Sequence, residues 1–330
     1  MNQQEIRQSV ALGKTGPRVF PLGLGCMGMS GMYGPTEEAE SIATIHAAID
    51  QGVTLIDTGD FYGMGHNEML LGRALEGRRD RVQVSVKFGA MRGPDNAWLG
   101  FDARPVAVKN FAAYSLKRLK VDVIDVYRPS RLDQTVPIED TIGAIADLVR
   151  AGYVRHIGLS EVGVETIRRA HAVHPIVDLQ IEYSLASRGP EAQIFPMLDE
   201  LGISATLYGV FSRGLLTGSK PKGPGDFRNY LPRFIGDNAG QNRGVAEALA
   251  VFGRERGMTP GQLAVAWVRA KTPRYVTLVG AKTRTQLDDA LALKPLTPAD
   301  VTALEALVPS NAIAGTRYGA DQMRHLDSER

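Results

Sequence analysis

The sequence predicts a closed barrel of eight parallel strands, each followed by a helix. Three observations carry that expectation. Short β-branched runs alternate with longer amphipathic segments along nearly all of the 330 residues. The strand runs read almost wholly apolar, as strands covered by helices do. Eight such units fit a (β/α)8 barrel, which takes ~250 residues before insertions. An open doubly wound sheet is the rival, since periodicity alone separates the two poorly. Eight repeats without a break in composition favour the barrel, as one domain spanning 1–330.

The strand runs fall at 18–26, 53–58, 82–89, 123–129, 156–161, 178–185, 203–210 and 275–281. Between them lie helical patterns such as 36–52, 105–120, 137–152 and 260–270, several opening on a Thr or Asp cap or a first-turn proline and closing on glycine. The segment 10–19, with Lys14, Thr15 and Gly16 at its turn, predicts a β-hairpin ahead of the first barrel strand. A segment rich in Gly, Pro and Arg, 218–244, interrupts the seventh unit and reads as a long loop, of the kind that covers a site.

Composition narrows the function. A hydrophobic content of 44% with 22% charged residues describes a globular protein with a large core. The net charge of +2, with no basic run interleaved with aromatics, argues against a nucleic-acid partner. No apolar stretch approaches the ~18 residues of a membrane span. The opening residues 1–10 lack the basic and apolar regions of a signal peptide. A single cysteine, Cys26, excludes an internal disulfide and suits a reducing compartment, so a cytoplasmic enzyme or binding protein is expected. No feature speaks to oligomeric state.

The string GLGCMG at 23–28 matches the G-x-G-x-x-G fingerprint of dinucleotide-binding folds, but its context is wrong. That fingerprint must open a helix directly, so that phosphate meets the helix N-terminus. Here seven residues intervene before the next helical pattern, and the acidic residue at the expected distance, Asp50, lies inside it. Flexible backbone at a strand end is the favoured reading.

The chemistry gathers elsewhere. DTGDFYGMGHNE (57–68) places an aspartate, a tyrosine and a histidine among glycines just after the apolar run VTLI. In a barrel, residues at the C-terminal strand ends converge on one face. Asp57, Tyr62 and Lys87 then share a site. Each has a plain structural reading alone, as a strand-end cap, a loop aromatic or a buried cation, but Lys87 sits in VSVKF among residues expected to be buried, and lysines are rarely buried without a partner. A carboxylate beside Lys87 is expected to keep it charged, and the ammonium to make the Tyr62 phenol more acidic than its usual ~10. Such a phenol is a usable general acid for a carbonyl accepting hydride.

These strings resemble the aldo-keto reductases over nearly the whole chain. DTGDFYGMGHNEMLLGRAL is similar to that family's motif carrying the catalytic Asp and Tyr, VSVKFG to its Lys strand, and HIGLSE, LQIEYSL and LYGVFSRGLLTG to later motifs in the same order. The resemblance implies a barrel that binds NADPH and reduces a small-molecule aldehyde or ketone to the alcohol, in either direction. Asp57, Tyr62 and Lys87 match the catalytic residues. Ser160 and Gln180 match the residues that hold the nicotinamide carboxamide, with Glu161 where an asparagine is usual, and Tyr208 matches the aromatic stacked on the ring. Gly25, Met27, Asp57, Arg131, Gly209, Arg213 and Gly280 fall among the cofactor-binding positions. Lys282 and Thr283 match the contacts to the adenosine 2'-phosphate, with Gln286 where an arginine or glutamine is common, and Asp289 matches the acidic residue at adenine. A cation here without a nearby acidic competitor favours NADPH over NADH, and Thr283 precedes a helix whose amides favour an anion.

One position departs from the pattern. The family's catalytic histidine after the fourth strand is replaced in DVYRPSRLD by Ser130, followed by Arg131. None of the six histidines substitutes for it by spacing, and His325 lies in a disordered-looking tail. Serine can donate a hydrogen bond but is shorter and does not charge near neutral pH. The fourth catalytic place is therefore expected to be served by Ser130. The alternative is an NADP(H)-binding regulatory protein resembling potassium-channel β-subunits, which the loss of the histidine would suit. Loops at 91–101 and 218–244 are expected to build the substrate pocket, with Trp98, Phe101, Phe211, Phe227 and Tyr230 as apolar lining.

Overall fold

A computed structural model describes residues 5–95 and 97–329. The first four residues of the opening segment, and Asn96 within 91–101, lie outside the described residues. Eight parallel strands close a barrel: β1 (Leu22–Gly25), β2 (Leu55–Gly59), β3 (Gln83–Phe88), β4 (Ile124–Pro129), β5 (Val154–Ser160), β6 (Ile176–Glu182), β7 (Ser204–Tyr208) and β8 (Val276–Gly280). Neighbours in sequence are neighbours in space, and β8 pairs with β1 while β5 pairs with β6. Each observed strand falls on an expected run, with ends shifted by a few residues.

The outer layer is formed chiefly by α1 (Glu38–Asp50), α2 (His66–Ala74), α3 (Pro105–Leu119), α4 (Ile138–Arg150), α5 (Val164–Val173), α6 (Ile194–Leu201), α7 (Gly236–Arg254), α8 (Pro260–Lys271) and α9 (Arg284–Leu291). Their apolar faces join the outward residues of the strands in one continuous core. Helix α8 shows the start signals in full: Thr259 caps it, Pro260 opens it, and Gln262 closes a capping box. The hairpin ahead of β1 pairs Val10–Ala11 with Arg18–Val19. Among the described residues no helix is long and apolar enough to cross a membrane.

Two expected loops are partly regular. On either side of the undescribed Asn96, Ala90–Arg92 pairs antiparallel with Trp98–Phe101. The segment 218–244 is a loop only to Phe234; from Gly236 it is the first turns of α7, whose polar composition disguises a helix half exposed to solvent. The GLGCMG string ends β1 and enters a short 3-10 turn at Met27–Ser30, and the next helix begins at Glu38, so it forms no dinucleotide-binding turn.

The barrel interior is unusually polar. Arg128, wholly buried, donates to Ser85 Oγ at 3.0 Å and pairs with Asp178 at 3.1 Å, while Thr206 donates to the same carboxylate. Gly158 makes the space: a Cβ there would lie 2.7 Å from an Asp178 oxygen and 3.1 Å from the Arg128 guanidinium carbon.

A second buried charge cluster holds the loop after β2. The Asp60 backbone N–H donates to the Lys87 carbonyl at 2.9 Å, and the Asp60 carboxyl accepts from Gly89 N–H at 3.2 Å. Its other oxygen is buried without a partner. Glu68 on α2 lies behind it and accepts from Arg118 of α3 at 2.6 Å. Burial, then the Glu68 charge, pushes the Asp60 carboxyl up to about 7, against smaller opposing influences of Gly89 and Arg118. A carboxyl whose pKa is raised on folding favours the fold while protonated, and stability falls as pH climbs from its unfolded value toward 7. Between pH 5 and 8, wild type should therefore lose at least ~1 kcal/mol more stability than Asp60→Asn, which is fixed neutral with a similar shape. Urea unfolding at the two pH values measures this, and equal losses would show that Asp60 is already ionised at pH 5.

Candidate active site

Strand register alone brings the acid and the base together. Asp57 on β2 lies opposite Ser85 on β3, and Lys87 is two residues further along, on the same inward face. Ser85 Oγ donates to Asp57 at 2.8 Å, the Lys87 ammonium meets the other Asp57 oxygen, and it also donates to the Thr58 carbonyl at 3.0 Å. Gln180 from β6 reaches across the barrel to donate to Asp57 at 2.8 Å. The carboxylate is therefore gripped by three side chains from two other strands.

Tyr62 follows on a loop that needs its glycines. Gly63, Met64 and Gly65 all have left-handed backbone, with φ of 57°, 54° and 94°. Gly65 also leaves room for Arg118, whose Cδ would lie 2.9 Å from a Cβ there. The turn directs the Tyr62 ring inward, with the Lys87 ammonium 5.1 Å from its centroid and Phe61 packed edge-on at 4.7 Å. The effect on the phenol is opposite to expectation. Burial, then the Asp57 carboxylate, holds the Tyr62 proton well above the usual phenol range. Burial likewise lowers the Lys87 ammonium, with Asp57 opposing.

One cleft of about 490 Å³ gathers Asp57, Tyr62, Lys87 and Ser130 with Gly25, Met27, Arg131, Ser160, Gln180, Tyr208, Gly209, Arg213, Gly280, Lys282, Gln286 and Asp289. The hydroxyls of Ser130 and Ser160 are buried in it without partners. Beyond β7 the backbone turns left-handed at Gly209, Ser212, Arg213 and Gly214. Arg213 pairs with Glu182 at 3.0 Å, and Arg228, from the long loop, with Asp226 at 2.7 Å. An orphan donor at Ser160 and the lysines Lys222 and Lys282 fit a nicotinamide dinucleotide extended along the cleft.

Several sequence expectations need correction. Thr283 caps α9 and lines a side depression with Glu37 and Glu40 that adjoins the main cleft at Lys282. Glu40 accepts the Arg284 backbone N–H at 3.0 Å and lies 3.7 Å from its guanidinium. The end of the cleft expected to meet the 2'-phosphate thus does have an acidic neighbour, which sequence separation hid. Glu161 does not face the cleft. With φ of 54°, it turns its carboxylate to Arg317 at 2.6 Å and Ser328 at 2.7 Å. Trp98, Phe101, Phe211 and Phe227 line the cleft, whereas Tyr230 is 70% exposed and does not. Cys26 is buried beside the cleft, its thiol pushed up by desolvation and then by Asp57.

The tail that looked disordered is clamped. Asp327 accepts from Gly163 N–H at 2.8 Å and Thr166 Oγ1 at 2.7 Å. Arg317 joins Glu161, Glu182 and Glu329 at 2.6, 3.4 and 2.8 Å. Burial alone would raise the Glu161 carboxyl, but Arg317 and then Arg131 carry it well below the carboxylate range. The clamp delivers Tyr318, Gln322 and His325 to the cleft, with His325 edge-on to Phe101 at 5.3 Å. None of the three was legible, because nothing in TRYG or HLDSER marks them as more than a polar end. Replacing Arg317 by Met takes from the buried Glu161 its ion-pair partner, a loss worth ~3–5 kcal/mol. Hydrogen exchange should show residues 312–329 losing protection first, and uniform loss across the barrel would contradict a local clamp.

Residues 21–309 match the model of the aldo/keto reductase family. A probable aldo-keto reductase of Glycine max is 40% identical over 328 residues, covering 96% of this chain and 93% of that protein. The structure resembles a glycerol dehydrogenase of Gluconobacter oxydans, with a TM-score of 0.81 at 26% identity, covering 93% and 98% of the two chains. It also resembles an aldo/keto reductase of Klebsiella pneumoniae solved with NADP and acetate, with a TM-score of 0.71 at 25% identity over 93% and 99%. With the family model spanning most of its length and the barrel closed as in these relatives, the chain belongs to the aldo/keto reductase family of NADP-dependent oxidoreductases.

Proposed function

We propose that the protein reduces an aldehyde or ketone to the alcohol with NADPH, using Tyr62 as the proton donor. The observation that carries this is the Asp57–Lys87 pair beneath the Tyr62 ring, at the mouth of one cleft. When bound, the reduced nicotinamide supplies the hydride. Ser160 and Gln180 hold its carboxamide: Ser160 has a free hydroxyl, and Gln180 gives its amide N–H to Asp57, which leaves its carbonyl to accept. Tyr208 packs on the ring. Tyr62 keeps its proton until negative charge develops on the carbonyl oxygen, then passes it on, and Lys87 stabilises the phenolate left behind. A tightly held proton suits an acid in the reductive direction. Ser130, whose hydroxyl is buried and unpartnered beside the cleft, orients the same oxygen in place of the histidine.

NADPH oxidation with a panel of aldehydes, α-dicarbonyls and ketones tests the reading. Turnover in wild type should fall at least ~10²-fold in Tyr62→Phe with NADPH still bound, since a positioned acid contributes that much. A flat trace in wild type with tight NADPH binding would instead support a cofactor-sensing protein.

Lys222 and Lys282 favour the 2'-phosphate, and Glu40 opposes it. Glu40→Gln should lower the KM for NADPH roughly three- to tenfold, as one partly exposed charge allows, while the KM for NADH moves little. Initial rates with the two cofactors decide, and an equal change in both would place Glu40 outside the phosphate's reach.

A further inference from the structure

We propose that Arg128 is a positioning residue for the catalytic pair, one that fixes the Ser85 hydroxyl as a donor to Asp57 and so sets which oxygen Asp57 turns to Lys87. This rests on the reductase reading above. Arg128 is wholly buried and does not line the cleft, so it acts only through a neighbour. It stands beside Lys87 in register, on the adjoining strand β4. One arm of its guanidinium donates to Asp178 at 3.2 Å and to the Leu159 carbonyl at 3.4 Å. The other arm, 3.1 Å from the second Asp178 oxygen, donates to Ser85 Oγ at 3.0 Å. An ion pair this deep adds little net stability over apolar side chains of the same volume. The reach to Ser85 is what an apolar core could not reproduce.

The direction of each donor makes the contact specific. A hydroxyl has one proton and rotates to suit its neighbours, whereas a guanidinium only donates. With Arg128 on its lone pair, Ser85 commits its proton to Asp57, at 2.8 Å. The Gln180 amide donates to the same Asp57 oxygen, also at 2.8 Å. Two neutral donors therefore occupy that oxygen, and the other is left to the Lys87 ammonium, which faces the Tyr62 ring. Arg128 is itself anchored from the far side of the barrel, because Thr206 on β7 donates to Asp178. Gly158 leaves that pair its room, since a Cβ there would meet both partners. The contacts run from Thr206 through Asp178, Arg128 and Ser85 to Asp57 without a gap.

A mutant cycle tests this, reading kcat for the most active carbonyl of the panel above and the Kd for NADPH by quenching of protein fluorescence. Arg128→Met combined with Asp178→Leu removes both charges together and strands neither. Its kcat should fall at least about tenfold, as happens when catalytic groups are displaced, while the affinity for NADPH is kept. Ser85→Ala should lower kcat by a similar factor. All three substitutions together should cost no more than either alone, because both act on the one hydrogen bond to Asp57. Arg128→Lys should lose less than the double variant, since an ammonium still donates to Ser85. If the double variant does not fold, Gly158→Ala displaces the same pair by crowding and takes its place in the cycle. Losses that multiply, or a double variant as fast as wild type, would overturn the positioning role and leave the reductase standing. No turnover by wild type with any carbonyl of the panel would overturn the reductase reading and the positioning role with it.

Discussion

The grip on Asp57 is the constraint around which the molecule is organised. Its carboxylate is 2% exposed and meets Lys87, Ser85 and Gln180, which come from β3 and β6. A buried ion pair of this kind adds little net stability over an apolar core, but losing one partner strands the other at a cost of ~3–5 kcal/mol. The barrel therefore cannot change its register without stranding charge. Arg128, Asp178 and Thr206 extend the same polar layer across the interior, in the space that Gly158 leaves open. A barrel filled only with aliphatic side chains would pack as well and do no proton chemistry.

From that layer the site is built outward in rings. The strand ends present Lys87, Ser130, Ser160 and Gln180, the loop after β2 presents Tyr62, and the loop after β7 presents its left-handed backbone. Each loop is secured by its own charge cluster: Asp60, Glu68 and Arg118 behind Tyr62, and Asp226 with Arg228 in the segment that crosses to Met32, where Phe227 N–H donates to the Met32 carbonyl at 3.0 Å. The C-terminal segment adds a third clamp through Arg317. It lies beyond residue 309, where the match to the family model ends, and it brings Tyr318 to the cleft. The cleft is thus lined both by residues within the family match and by residues of the segment beyond it.

Much of this was legible in the residues. The eight apolar runs specified the strands because a buried parallel strand cannot hide its composition, and VSVKF announced a partnered lysine because an unpartnered one would not be tolerated. The glycines of DTGDFYGMGHNE announced a turn with unusual dihedrals, and Gly63 and Gly65 have them. Other features resisted. The polar face of α7 read as loop because a half-exposed helix rich in Gly and Asn carries few apolar markers. Glu40 was overlooked as a neighbour of Thr283 and Arg284 because it approaches from α1, 244 residues from Arg284.

What the sequence determined by itself is the barrel, the grouping of Asp57, Tyr62 and Lys87 at one site, and the serine at position 130 where the family motif has a histidine. These depend on local pattern and on spacing along single strands. What only the tertiary structure decided is which charges meet: that Glu161 serves Arg317, that Glu40 stands by Arg284, and that Arg131 is left with neutral partners. It also decided the proton affinity of Tyr62, which burial and Asp57 raise where a neighbouring lysine alone would lower it. The physical reason is one and the same. Coulomb interactions and desolvation depend on distance and burial in three dimensions, and no periodicity along the chain encodes either.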